Sequence, residues 1–206
     1  MNELIEKVRG IYEGFDASHD FQHIERVYQN ALAILHTEPD ADEEVVKIAV
    51  LLHDVSDKKY TDSKEQEEKL IAELQMSEEK KQHIRDCIAQ VSFNGGHELE
   101  ATSIEAKIVR DADRLDAIGA VGIARTFAYG GAKGRKLYDE AEEARTEMTE
   151  EEYRSKNTAS VTHFYEKLLL LKDLMTTNKG KEMAEDRHQF MVSFLEQLQS
   201  EREGRS

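Results

Sequence analysis

The sequence predicts an all-α fold, on three observations. Its 206 residues include one proline, Pro39, and only 11 glycines, so few positions force the backbone out of a helix. Glu, Lys, Ala and Leu, all strong helix formers, are abundant throughout. Apolar residues recur at three- and four-residue intervals, the spacing of a helix face. No linker or composition shift divides the chain, and its length suits one buried core, so a single domain over 1–206 is expected.

Leu4, Val8, Ile11, Tyr12 and Phe15 place an amphipathic helix over the first fifteen residues, and a second helix is expected near Ser18. From Glu43 to His53 the run Val45, Val46, Ile48, Ala49, Val50, Leu51, Leu52 is apolar on every face, as a helix surrounded by others must be. Asp62 followed by Glu65 has the form of a capping box ahead of the stripe Leu70, Ile71, Leu74. Ser77 opens the next helix, whose stripe Ile84, Cys87, Ile88, Val91 stops before the turn signal Asn94-Gly95-Gly96.

One long helix is then predicted from about Thr102 to Tyr129, broken by Gly130, Gly131 and Gly134. Two more apolar patterns, Val161 to Met175 and Met183 to Leu198, predict an αα-hairpin turning at Thr177-Asn178-Lys179-Gly180. The polar tail 200–206 is expected to fray.

With 28 basic and 43 acidic side chains the formal charge is −15, which opposes binding to duplex nucleic acid and to anionic membranes. The N-terminus lacks the apolar core of a signal peptide, no run is long enough to span a bilayer, and Cys87 has no partner for an internal disulfide. A soluble, cytoplasmic protein is therefore expected, with a small-molecule substrate and a homo-oligomer left open.

Four features carry chemistry: Ser18-His19-Asp20-Phe21-Gln22-His23-Ile24-Glu25-Arg26-Val27, Leu51-Leu52-His53-Asp54, Arg110-Asp111-Ala112-Asp113-Arg114-Leu115-Asp116-Ala117, and the basic loop Gly130 to Lys136. His53 lies one turn beyond Ala49 and two beyond Val46, so helical geometry aims it inward at the end of the most buried helix. An imidazole and a carboxylate buried together cost several kcal/mol of desolvation unless compensated, and a divalent cation compensates both. A lone His-Asp pair is more often a hydrogen-bonded core pair, so the rest of the sequence must support it.

That support is the order of the motifs, which resembles the HD-domain superfamily of metal-dependent phosphohydrolases. The superfamily pattern is a His in a His-x-x-Arg-Val-like helix, an apolar helix ending His-Asp, and a distal Asp. Here these correspond to His23 in His23-Ile24-Glu25-Arg26-Val27, to His53-Asp54, and to Asp113 in Ala112-Asp113-Arg114-Leu115-Asp116-Ala117. The resemblance covers a motif core from 18 to 117 and extends more loosely over the C-terminal helical part, 118–200. It implies an all-α HD-type helical bundle in which His23, His53, Asp54 and Asp113 hold a divalent metal.

Periodicity alone leaves the last ligand open. Asp111 shares a stripe with Ile104, Ile108 and Leu115, whereas Asp113 lies on the small-residue face of Ala106, Val109, Ala117 and Ala120. The family motif favours Asp113, with Asp111 in reserve. Two His and two carboxylates without thiolate suit Mn²⁺ best, with Fe²⁺, Co²⁺, Ni²⁺ or Mg²⁺ as alternatives. His83 precedes the place where two-metal branches add histidines, and Ser92 stands nearer to it, so one ion is expected. His19 and His23 also mimic a zinc-protease His-x-x-x-His, but that motif lacks its Glu here and leaves His53-Asp54 unexplained.

Asp57, three residues beyond Asp54, stands where alarmone hydrolases of the superfamily carry an acidic catalytic residue, and is the expected general acid/base. Glycines beside Lys133, Arg135 and Lys136 let backbone N–H groups approach an anion, and Lys58 adds charge from the His-Asp side. Lys58, Lys133 and Arg135 are thus the expected substrate-binding residues. Cys87 reads as core.

The implied activity is pyrophosphohydrolysis of nucleoside triphosphates to monophosphate and pyrophosphate. The alternatives are a nucleoside monophosphate phosphatase, a cyclic-nucleotide phosphodiesterase, a two-iron oxygenase and a catalytically silent nucleotide-binding module.

Overall fold

In the computed structural model, which describes residues 1–14, 20–57, 61, 63–91, 99–145 and 158–205, every regular element is a helix and no strand occurs among those residues. Helix α1 spans Asn2–Tyr12, α2 Phe21–Leu35, α3 Glu43–Leu52, α4 Glu65–Glu73, α5 Glu78–Ala89 and α6 Ile104–Asp116. Then come α7 over Gly119–Ala132, α8 over Ser160–Glu166, a 3-10 helix over Leu168–Leu174, and α9 over Asn178–Arg202.

Side-chain caps set several starts. The Asp20 carboxylate accepts from the His23 N–H, Asp42 from the Glu44 and Val45 N–H groups, Ser77 from Lys80 and Thr177 from Gly180. Each satisfies donors that a helix N-terminus otherwise leaves open.

The chain gathers into two compact units, 1–93 with 98–113, and 94–97 with 114–206. In the first, α3 is the central helix: Val45, Val46, Ile48, Ala49, Val50, Leu51 and Leu52 are all buried, and α1, α2 and α5 pack around it. The all-round apolar run of the sequence has this cause. In the second, α7 packs on α8 and α9, and the rings of Phe127, Phe164 and Phe194 join the three helices at centroid separations of 5.8 to 6.1 Å.

The helix expected from Thr102 to Tyr129 is in fact two, because α6 ends at Asp116 and α7 begins at Gly119. Gly119 has φ +75°, a conformation that side chains with a Cβ rarely adopt, and this turns the chain. Arginines satisfy the carbonyls at the break: Arg187 Nη1 donates to Leu115 O at 2.5 Å, and Arg125 Nη1 to Asp116 O at 3.3 Å and its carboxylate at 2.6 Å. At the far end α7 stops at Ala132 among the glycines expected to end it: Gly130 and Gly131 lie in its last turn, and Gly134 follows with φ +65°. Gly130 is also a close-approach site, where a Cβ would stand 2.2 Å from Ser160 Oγ.

Two smaller differences follow. The second half of the first hairpin arm tightens into a 3-10 helix, and α9 continues to Arg202, past the expected fraying point. The Asp62 cap, Phe15 and Ser18 fall outside the described residues, and α4 starts after Lys64 with Ser63 Oγ accepting from Glu65 N–H.

Candidate metal centre

Four side chains from three helices meet in the first unit. The Asp20 cap fixes the start of α2 and puts His23 in its first turn, with 1% of its side chain exposed. His53 follows the last residue of α3, equally buried, and its Nδ1 lies 2.8 Å from Val50 O. A carbonyl can only accept, so Nδ1 carries the proton and the neutral ring turns the lone pair of Nε2 to the opposite side. Asp54 follows on the same turn, and Asp113 comes from α6.

The acceptor atoms converge. His23 Nε2 is 3.3 Å from Asp54 Oδ2 and 3.5 Å from Asp113 Oδ1. His53 Nε2 is 3.6 Å from Asp54 Oδ1 and 3.7 Å from the same Asp113 oxygen. His23, His53 and Asp54 each offer one donor atom, all within 4.8 Å of one another, and the two imidazoles stand 5.6 Å apart by centroid. Asp113 Oδ1 completes the ring by approaching both imidazole nitrogens.

Charge in this space is unusual. Burial opposes a proton on His53, yet Asp54 and Asp113 outweigh it and raise its pKa to about 10. Burial likewise pushes the Asp113 carboxyl up, but His53 and His23 prevail and hold it down. His53 Nε2 is buried and completes no hydrogen bond among the described residues. A buried imidazole nitrogen that faces two carboxylates without completing a hydrogen bond to either is an arrangement that a dication can satisfy, by displacing the proton from that nitrogen. The set fits a divalent ion with nitrogen and oxygen donors.

Asp111 is fully buried on α6, while the Asp113 side chain keeps 30% exposure beside the imidazoles. Asp57 ends the turn after Asp54, its N–H bonded to Asp54 O at 3.1 Å, and is half-buried. Lys133 and Arg135 lie in the second unit, both against the Tyr129 ring, at 5.7 and 5.1 Å from its centroid. Lys136 is paired with Asp139 at 2.6 Å. Lys58, His19 and Ser92 lie outside the described residues. His83 is engaged with Ser103 and Glu105, at 3.1 and 3.3 Å. Burial raises the Cys87 thiol to about 12, in keeping with a core residue.

Three buried polar groups around the cluster escaped the sequence reading. Tyr12 is fully buried, with its hydroxyl 3.4 Å from Leu51 O. Asn30 is 6% exposed on the apolar face of α2, and Glu67 is 3% exposed on α4, its carboxyl raised chiefly by burial. Tyr12 was read only as part of the apolar stripe of α1, and Asn30 left a trace as an amide among Ile24, Val27, Ala31 and Ile34 two turns after His23.

Comparison with known proteins places this geometry. An HD domain family model matches residues 20–118, the stretch that carries all four residues. YpgQ of Bacillus subtilis is 37% identical over 94% of this chain and 89% of its own. The chain belongs to the HD-domain family. The fold is shared over nearly the full length with solved structures: the crystal structure of YpgQ in complex with ADP superposes with a TM-score of 0.77 at 35% identity, covering 97% of this chain and 93% of that one. A Lactobacillus plantarum structure matches with a TM-score of 0.86 at 32% identity over 98% and 96% of the two chains. An HD-superfamily hydrolase from Bacillus thuringiensis matches at 0.76 and 41% identity over 97% and 95%. No helix among the described residues is long and apolar enough to cross a membrane.

Proposed function

We propose that this HD protein is a metal-dependent nucleotide phosphohydrolase that splits the α–β bond of a nucleoside triphosphate, releasing pyrophosphate. The observation that carries the reading is the convergence of His23 and His53 Nε2 on the Asp54 and Asp113 carboxylates at 3.3 to 3.7 Å. The ADP complex of YpgQ supports a ligand with a phosphoanhydride.

In this reading His23, His53, Asp54 and Asp113 hold one divalent ion, Mn²⁺ by preference. The ion supplies Lewis-acid polarisation of a phosphoryl group and of a water nucleophile. The protein does the rest. The Val50 carbonyl holds the proton of His53 on Nδ1, which keeps Nε2 available as a donor atom. Asp57 accepts a proton from the attacking water, and Lys58, Lys133 and Arg135 bind the polyphosphate by charge. The chain 1–206 then works as one HD-type domain, with its motif core at 18–117 and helical remainder at 118–200, in a cytoplasmic setting.

Phosphorus NMR of a nucleotide panel incubated with Mn²⁺, Mg²⁺ or EDTA tests the reading. Pyrophosphate and monophosphate are expected together, only with metal. Orthophosphate as the first product, or turnover confined to monophosphates, would make it a phosphatase instead. No turnover of any nucleotide with metal bound would leave a binding module.

A further inference from the structure

Asn30 and His23 are seven residues apart on α2, two helical turns, and therefore project from one face. That face is otherwise apolar, with Ile24, Val27, Ala31 and Ile34 all buried. A primary amide in such a place costs free energy unless it is hydrogen-bonded, and Asn30 Nδ2 donates to Ala112 O at 3.0 Å. The carbonyl it holds belongs to the peptide unit that joins Ala112 to Asp113. A peptide unit is planar and rigid, so a bond to its oxygen fixes the rotation and the rise of α6 at the start of Asp113. Ala112 is fully buried, and its small side chain leaves room for the amide to reach the backbone.

We infer that Asn30 is a positioning residue for the metal centre, setting the Asp113 carboxylate against the imidazole of His23. One helix thus holds one ligand directly and a second through a backbone clamp on another helix. The consequence is large because metal–ligand distances tolerate only about 0.2 Å, so a small slip of α6 along or about its axis withdraws Asp113 from its place beside both Nε2 atoms. His23 and Asp54 do not depend on this bond, since the Asp20 cap and the α3 turn place them.

The inference rests on the metal reading, and the test separates the two. Mn²⁺ affinity of the full chain is measured by titration, following free Mn²⁺ by electron paramagnetic resonance, alongside thermal melting in EDTA. The variants are Asn30→Ala and Asn30→Leu, the second keeping the number and branching of the side-chain heavy atoms while removing the donor. Ile34→Val, one turn further on the same face, removes a methyl group without touching the clamp and serves as the control for destabilisation alone. Asn30→Ala and Asn30→Leu are expected to weaken Mn²⁺ binding by roughly tenfold or more, as losses of supporting hydrogen bonds around metal ligands do, while Ile34→Val lowers the melting temperature and keeps the affinity. Unchanged affinity in Asn30→Leu, or an equal loss in Ile34→Val, overturns the positioning role. A wild-type chain that binds no Mn²⁺ overturns the metal reading, and this role with it.

Discussion

His53 Nδ1 sits 2.8 Å from the carbonyl oxygen of Val50, one helical turn earlier in α3, and this contact orients the ring. With Nδ1 donating, any proton on Nε2 makes the ring cationic, and Asp54 and Asp113 draw that proton in, raising the pKa to about 10 against the opposition of burial. A proton and a divalent ion compete for the same nitrogen. The sign differs between the two states. For chelator-treated protein, the stability from His53 protonation is complete below its ordinary value of about 6.5 and lost as pH rises towards 10.

Thermal melts at a series of pH values, with EDTA and with Mn²⁺, check this. The Mn²⁺-induced rise in melting temperature should grow as pH rises towards 10, because the ion must displace the proton that His53 Nε2 holds below that value. His53→Ala and Asp54→Ala should abolish the rise, and elemental analysis should find no metal in either. Asp113→Asn is expected to lose metal where Asp111→Asn keeps it, and the opposite pattern would move the fourth ligand to Asp111.

Asp57 closes the turn after Asp54 and is not among the converging donors. Asp57→Asn should therefore keep its metal while kcat falls by about 10²- to 10⁴-fold, the usual contribution of a general acid/base. Full turnover in this variant would remove Asp57 from the proton path.

Lys133 and Arg135 flank Tyr129, whereas Lys136 is held by Asp139. Steady-state kinetics with a triphosphate substrate should show KM raised roughly tenfold by Lys133→Ala and by Arg135→Ala, given about 1.5 kcal/mol for a charge-assisted bond kept throughout the reaction. Lys136→Ala should change KM far less. Equal effects at all three positions would reduce the loop to a diffuse positive charge.

Tyr12 places its hydroxyl 3.4 Å from Leu51 O, at the end of the helix that leads into His53 and Asp54. Tyr12→Phe removes that contact from a fully buried site. The cost should be about 1 kcal/mol, or roughly 2–4 °C in melting temperature for a chain of this size. A melt that matches wild type would assign no stabilising role to the hydroxyl.

The helical class and the central position of α3 were legible because both follow from local pattern. Seven consecutive or near-consecutive apolar residues leave α3 no solvent face, and a single proline, Pro39, interrupts the chain. The break between α6 and α7 was not legible. Ala117, Ile118, Gly119 and Ala120 continue a helical pattern, and only the φ of Gly119 with Arg125 and Arg187 on the terminal carbonyls makes the turn. Those arginines come from residues 9 and 72 positions further along, beyond the reach of local propensity.

The sequence by itself singled out His23, His53-Asp54 and the pair Asp111 and Asp113 as candidates, by residue type, by order and by their places on predicted helices. What tertiary structure decided is which carboxylate of Asp111 and Asp113 faces the imidazoles, and how α2 and α6 are held in step. Helical periodicity assigns each residue a face but gives neither helix a rotation or a rise relative to the other. That registry is fixed by contacts such as Asn30 to Ala112 O at 3.0 Å, between residues 82 positions apart. It exists only once the two helices have packed, because the donor amide and the peptide oxygen must both leave water to find each other.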